Sequence, residues 1–317
     1  MKHQSNEILS QIMKTLDEAG YIVSEVDSAD YCMEIVAKKD NVKLLIKTLV
    51  NVDTERRGAA EDLRSLATTF SASPIIIGSR MQKGVIEQGA LYERFGVNVI
   101  NPKTFQDAAL SNNLPIVYSK RGGLYVKIDG TALKRYREER GMSLGELSTK
   151  IGVSRKAVYE YERSQMGATL ATVARIEEIL DADIISGINI FDWQPGDEVP
   201  DKTPTGVVAK QLHNKLKKIG CKAIGFTYAP IDVHVRNTEV SFLTNEDNLN
   251  EAGLEKKVES AVDVGKILGI DPILVTCDKH FRDQNITTLK IDDIKKLESA
   301  KDLETLLNKG EIKRRNN

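Results

Sequence analysis

The sequence predicts an α/β plus all-α chain in three parts, with a central domain of four to five short helices flanked by two α/β domains. Three observations predict this. Short runs of β-branched residues alternate with helical periodicity before residue 115 and again after residue 204. Residues 131–180 carry helical spacing alone, punctuated by glycine and serine. The order of signals in the first part also returns in the last. At 317 residues the chain is long enough for two or three domains, each burying its own core. The expected divisions are an N-terminal domain at 1–118, a helical domain at 127–185, a linker at 186–204 and a C-terminal domain at 205–309.

In the first part, Ile8, Ile12 and Leu16 share a helix face that stops at Gly20. Strands are expected at 21–26, 33–37 and 42–47, the last two joined through Lys39-Asp40-Asn41. A helix at 59–70, a buried strand at 74–78, a second helix at 89–95 and a strand at 97–100 complete the domain. Residues 192–204 gather three prolines without periodicity, which reads as the linker. Beyond it, a helix at 208–219 stops at Gly220, and strands are expected at 223–226, 231–235 and 240–243. A helix at 254–268, strands at 272–275 and 286–289 and a final helix follow. Leu16-Asp17-Glu18-Ala19-Gly20 answers to Leu216-Lys217-Lys218-Ile219-Gly220, and Ser73-Pro74-Ile75-Ile76-Ile77 to Asp271-Pro272-Ile273-Leu274-Val275. The two α/β domains are therefore expected to descend from a duplication.

Composition narrows the function classes. No segment approaches the roughly 18 apolar residues needed to cross a bilayer, and the charged N-terminus lacks a signal-peptide core. A cytoplasmic protein without membrane contact is expected. Cys32, Cys221 and Cys277 lack the paired spacing of a zinc or disulfide framework and are expected to be reduced and mostly buried. The formal net charge is -1, yet residues 119–165 carry eleven basic against six acidic side chains. The basic character is thus local to the central part.

In that part, helix one spans 131–140 and stops at Gly141. Ser143-Leu144-Gly145-Glu146 has capping-box spacing and starts helix two, whose apolar face is Leu144, Leu147 and Ile151. Gly152 suits a sharp turn of positive φ, and Ser154 caps helix three. With Val153, Val158 and Tyr161 inward, Arg155, Lys156, Tyr159 and Glu160 point outward. Leu170, Val173, Ile176, Ile179 and Leu180 give a fourth helix that closes the core.

The string from Ser143 to Arg163 resembles the phage repressor and Cro family of helix-turn-helix domains at Leu147, Gly152-Val153-Ser154, Val158 and Glu162. Leu144 and Ser148 depart from it, standing where that family commonly has Gln and Ala. The resemblance implies that Arg155, Lys156 and Glu160 face base edges, with Ser154 near the phosphate backbone and Tyr159 and Arg163 beside them. Arginine can bond guanine O6 and N7, lysine the same atoms or a phosphate, and glutamate cytosine N4, each discriminating by about 1–3 kcal/mol. Lys134, Arg135 and Arg137, with Lys120, Arg121 and Lys127, are expected to meet phosphates. One such domain reads few base pairs, so a homodimer on a two-fold symmetric site of double-stranded DNA is implied. By architecture, the whole chain resembles an archaeal family of helix-turn-helix transcriptional regulators.

The first domain also resembles the restriction-endonuclease-like fold, which needs an acid on one hairpin strand and an acid-x-Lys on the next to hold a divalent cation. Glu34 and Lys47 fit, but Leu45 stands at the second acid. In the last domain Asp232 matches the first acid, and Phe242-Leu243-Thr244 keeps neither acid nor lysine. A degenerate, non-catalytic pair of domains is expected, with Glu34, Lys47 and Asp232 as solvated charges at strand ends. His213, His234 and His280 form no ligand pattern, and no phosphate-binding glycine loop occurs. No cofactor or metal is expected. The expected function is a sequence-specific transcription regulator. The alternatives are a DNA-processing nuclease or its targeting subunit, separable by magnesium-dependent cleavage, and a co-activator that contacts the transcription machinery with weak DNA preference.

Overall fold

The computed structural model describes residues 2–26, 28, 30–81, 84–120, 122–194, 202–246, 250–277 and 286–314. Helix α1 (Lys2–Glu18) buries Ile8, Ile12 and Leu16 along one face. Strands β1 (Ile22–Glu25), β2 (Ile35–Lys39) and β3 (Val42–Asn51) form an antiparallel meander. Helix α2 (Arg57–Phe70) follows, ending at Ser71 in the left-handed region. Then come β4 (Ser73–Met81), β5 (Gly84–Val85), β6 (Ala90–Arg94), β7 (Val97–Ile100) and α3 (Pro102–Ser111). The hairpin β8 (Val117–Lys120) and β9 (Gly123–Val126) leads to the central helices α4 (Gly130–Glu139), α5 (Leu144–Ile151), α6 (Arg155–Glu162) and α7 (Leu170–Leu180).

The remainder comprises α8 (Val207–Lys218), β10 (Ala223–Gly225), β11 (Val233–Val235), β12 (Val240–Thr244), α9 (Glu251–Leu268), β13 (Ile273–Thr276), β14 (Thr287–Lys290), α10 (Ile291–Lys295) and α11 (Ala300–Arg314). Its core gathers Leu212, Leu216, Val233, Phe242, Val275, Ile294 and Leu303.

Residues 89–95, expected as a helix, form strand β6 instead. Register pairs Arg94 with Val97, so Phe95 and Gly96 make a two-residue loop in which both φ angles are positive, +51° and +79°. That is the mirror-image turn that suits strand twist. Asparagine or aspartate usually stands where Phe95 does, so the sequence conceals it. Helix α3 and the β8–β9 hairpin are further additions, although Asn101-Pro102-Lys103-Thr104 holds the signal for α3. Asn101 Oδ1 accepts from Thr104 N at 2.7 Å, with Pro102 at the first helical position.

The chain folds into two compact units. One comprises residues 1–19, 49–53 and 75–192, and holds α1, the strands β4 to β9, α3 and the four central helices. There β4 runs parallel to β7, β7 antiparallel to β6, β6 parallel to β8, and β8 antiparallel to β9.

The other unit comprises residues 20–48, 54–74 and 193–317. In it β10, β11 and β12 are antiparallel, while β12, β13 and β14 are parallel. Two polar ties fasten this unit across long sequence distances. Asp62 is fully buried and accepts from Lys202 Nζ at 2.6 Å and from the Thr227 and Tyr228 amides at 2.7 Å each. Lys43 Nζ donates to Phe70 O at 3.3 Å and Leu268 O at 3.0 Å, placing one cation at the C-terminal ends of α2 and α9. Lys202 and the buried Pro204 lie in the stretch expected as a linker, and both are packed. Cys32 and Cys221 are buried, whereas Cys277 is exposed.

His234 is buried on β11, with Nδ1 3.0 Å from Ser241 Oγ and the ring edge-on to Phe70. Burial, reinforced by Arg236, holds its pKa down at about 4. Glu239 lies 3.8 Å from Nε2, but its carboxylate is mostly solvated and does not offset the burial. A depressed histidine pKa favours the neutral ring in the folded state. Its contribution is therefore complete above pH 6.5 and is lost as pH falls toward 4. Urea titrations across this window should show His234→Gln losing less stability than the unmodified chain, by up to about 3 kcal/mol; parallel curves would refute the assignment.

Candidate nucleic-acid interface

The central helices begin with caps that the sequence spells out. Asp129 caps α4 by accepting from Ala132 N at 3.0 Å. Both halves of the capping box at α5 are made: Ser143 Oγ accepts from Glu146 N at 3.1 Å, and Glu146 Oε2 from Ser143 N at 2.7 Å. That bond keeps the Glu146 carboxyl below its ordinary pKa. Gly152 follows with φ +76°, which turns the chain so that Ser154 can cap α6 through Ala157 N at 3.1 Å. The Ser154 hydroxyl thus serves first as the cap of the recognition helix.

On α6, Val158 and Tyr161 are buried while Arg155, Lys156, Tyr159 and Arg163 are exposed and Glu160 is half-buried. Arg163 donates to Tyr159 Oη at 2.8 Å with its guanidinium over the ring, so these two side chains hold each other in place. Lys134 and Arg135 are exposed on α4, where Arg135 lies over Tyr136 and near Glu139. Among the described residues, Lys120, Lys134, Arg155 and Lys156 have no carboxylate partner. Arg121 lies outside the described residues.

Arg137 does not join this surface. It is 7% exposed, and its guanidinium grips Glu162 through Nε and through Nη2 at 3.1 Å, with Nη1 donating to Met142 O at 2.7 Å. The bond to Glu162 raises the Arg137 pKa. The expected phosphate contact from Arg137 is therefore corrected to an internal clamp between α4 and α6. The signal was present, because Arg137 follows buried Leu133 by four residues and Glu162 follows buried Val158 by four, putting both on inward faces. Leu144 packs against the helical core, and the Ser148 hydroxyl is satisfied by Gly145 O at 2.8 Å, so both departures from the repressor pattern are accommodated.

The nuclease-like positions are not solvated strand ends as expected. Glu34 Oε1 accepts from Lys47 Nζ at 3.1 Å, and Oε2 from Thr48 N at 3.0 Å and from Thr48 Oγ1. Asp232 Oδ2 accepts from Thr244 N at 2.6 Å, Thr244 Oγ1 at 3.0 Å and Lys257 Nζ at 2.7 Å. Lys257 was missed because it reaches Asp232 from α9, 25 residues away in sequence. The two acids are otherwise alike, since Glu34 N donates to Ile46 O and Asp232 N to Phe242 O, each at 2.8 Å. Leu45 is fully buried. His213 and His234 are buried, and His280 lies outside the described residues. Among the described residues, no group of three or more His, Cys, Asp or Glu could hold a metal ion.

Capped helices, a left-handed glycine turn and an unpaired basic face define a helix-turn-helix protein. Residues 133–185 match the family described as helix-turn-helix, and residues 5–115 match the PD-(D/E)XK superfamily domain. Three relatives carry the name "Putative HTH-type transcriptional regulatory protein". That of Thermococcus kodakarensis is 32% identical over 95% of this chain and 93% of its own length. That of Pyrococcus horikoshii is 30% identical over 96% of each. That of Methanocaldococcus jannaschii is 30% identical over 93% of this chain and 94% of its own length. The chain belongs to this archaeal family of helix-turn-helix proteins.

Removing either clamp partner leaves a buried charge, so Arg137→Ala or Glu162→Ala should destabilise the central helices by about 3–5 kcal/mol. Amide exchange across α4 to α7 under increasing urea measures this, and the apolar pair Arg137→Met with Glu162→Leu should recover most of the loss. Equal loss in the double variant would show that the clamp is not the cause.

Proposed function

We propose that the chain is a sequence-specific DNA-binding transcription regulator that docks α6 into the major groove. The observation that carries this is the face of α6, where Arg155 and Lys156 stand exposed at the first turn without carboxylate partners among the described residues, in a chain of net charge -1. Ser154, Tyr159, Glu160 and Arg163 extend the surface, and Lys134 and Arg135 supply phosphate contacts. A homodimer on a two-fold site gives one such domain enough base pairs to be selective. The proposed divisions are 1–118, 127–185, 186–204 and 205–309, in a protein that works in the cytoplasm. Among the described residues no helix is long and apolar enough to cross a membrane.

The match of residues 5–115 to a nuclease superfamily favours a second reading, a DNA-processing enzyme or its targeting subunit. The residues present do not fit the divalent cation that such chemistry needs. Leu45 replaces one carboxylate, and both oxygens of Glu34 already accept from Lys47 and Thr48. The flanking domains are better read as non-catalytic copies of one fold. Their element order supports a duplication: α1-β1-β2-β3-α2-β4-β7, with β5 and β6 inserted before β7, is answered by α8-β10-β11-β12-α9-β13-β14, with antiparallel meanders in both and a parallel last pair in both. So do the matched Glu34–Thr48 and Asp232–Thr244 bonds.

Selection of bound fragments from random DNA should yield a two-fold motif, and Arg155→Ala with Lys156→Ala should abolish the preference while leaving the fold intact. At about 1–3 kcal/mol per contact, competition between motif and scrambled DNA should narrow at least tenfold. Unchanged specificity would remove these residues from the interface, and weak, sequence-indifferent binding by the unmodified chain would favour a co-activator. The bound fragments should keep intact ends with and without magnesium. Magnesium-dependent ends at a fixed offset would establish the nuclease.

A further inference from the structure

The β8–β9 hairpin lies outside the residues matched as helix-turn-helix, yet it is built into the same core. Val126 and Ile128 are buried among Leu133, Val158, Tyr161 and Val173. Val126 exchanges both backbone bonds with Ala168, at 2.7 and 3.2 Å, and Tyr118 Oη accepts from Gly167 N at 2.9 Å. Gly167 is required there, because a Cβ would collide with Tyr118 Oη and Val126 O. Tyr118 and Tyr125 stand with ring centroids 6.1 Å apart. The hairpin is therefore bolted to the turn that leaves the C-terminal end of α6.

Its far end has a different chemistry. Lys120 and Gly122 to Leu124 are exposed, and Lys120 Nζ sits over the Tyr118 ring with no carboxylate partner among the described residues. From Val117 to Ile128 the sequence has three basic residues and no acidic one. Gly122 and Gly123 take φ of +106° and +144°, and nothing lies within 4 Å of a Cβ added at Gly123, so the tip carries no side-chain bulk there.

We propose that this hairpin is a second DNA-contacting element, carried rigidly with α6, which lays its cationic glycine tip against the phosphate backbone beside the groove that α6 enters. The proposal rests on α6 reading DNA. An unpaired ammonium suits phosphate oxygens, a tip without side-chain bulk lets the backbone of the duplex come close, and the bolted base fixes where they meet. The hairpin adds affinity and sets the length of the site without reading bases.

The test uses the full chain and a DNA fragment that it selects. Lys120→Ala should reduce the slope of log affinity against log salt by about 0.9, the loss of one phosphate contact, and leave the selected motif unchanged. Cys277 is the exposed cysteine among the described residues, so Lys120→Cys combined with Cys277→Ser directs an iron chelate to the hairpin tip. Strand scission should then appear at a fixed distance from the motif. Binding with an unchanged salt slope and no scission would overturn the hairpin's role alone. Loss of self-association in Leu124→Asp with an unchanged slope would overturn it too, assigning the hairpin to a second copy of the chain. If the unmodified chain binds no DNA, the reading of α6 falls and this proposal with it.

Discussion

Arg137 and Glu162 carry opposite charges into the interior of the four central helices, and the orientation of α6 depends on that pair. Two hydrogen bonds join them, and a third from Arg137 to Met142 O holds the turn between α4 and α5. Burying a guanidinium is expensive, and apolar residues of similar volume would serve stability as well or better. The ion pair instead fixes geometry, because a planar fork accepts its carboxylate in few arrangements. The N-terminal end of α6 is set by Gly152 and Ser154 and its C-terminal end by Glu162. Both ends of the helix are thus constrained before any ligand arrives, which limits how widely the long side chains on its outer face can range.

The same economy appears at the nuclease-like positions. Glu34 and Asp232 are each satisfied by a threonine amide, a threonine hydroxyl and a lysine. The ammonium comes from β3 in one case and from α9 in the other. A carboxylate largely removed from water needs a positive partner and hydrogen-bond donors, and two different lysines supply the charge. Both acids therefore act as structural ties, in company with Asp62 and Lys43.

Where a signal is local, the sequence was legible. The capping box at Ser143, the turn at Gly152 and the inward faces of α5, α6 and α7 depend on neighbours within one or two turns, and all are where the spacing puts them except Leu170, expected inward but exposed at the first residue of α7, before the helix meets the core. The meander of β1 to β3 is likewise set by short runs of β-branched and apolar residues and the turn at Asp40. Strand β6 was hidden because Phe95 occupies a left-handed position that local statistics reserve for other residues. The β8–β9 hairpin was hidden because its stabilising partners, Gly167 and Ala168, lie some forty residues away. Arg137 was placed on the surface because charge was weighed before helix face. Lys257 was invisible for the same reason as the hairpin: its partner is fixed by tertiary packing.

The central claim is that α6 reads base edges in the major groove from a pre-set orientation. Interference mapping tests it most directly, by methylating guanine N7 across a selected fragment and separating bound from free DNA. The account predicts interference confined to two patches about one helical turn apart, each at a guanine within reach of Arg155 or Lys156. Full binding to DNA methylated at every guanine in the motif, with loss only when phosphates are blocked, would contradict it.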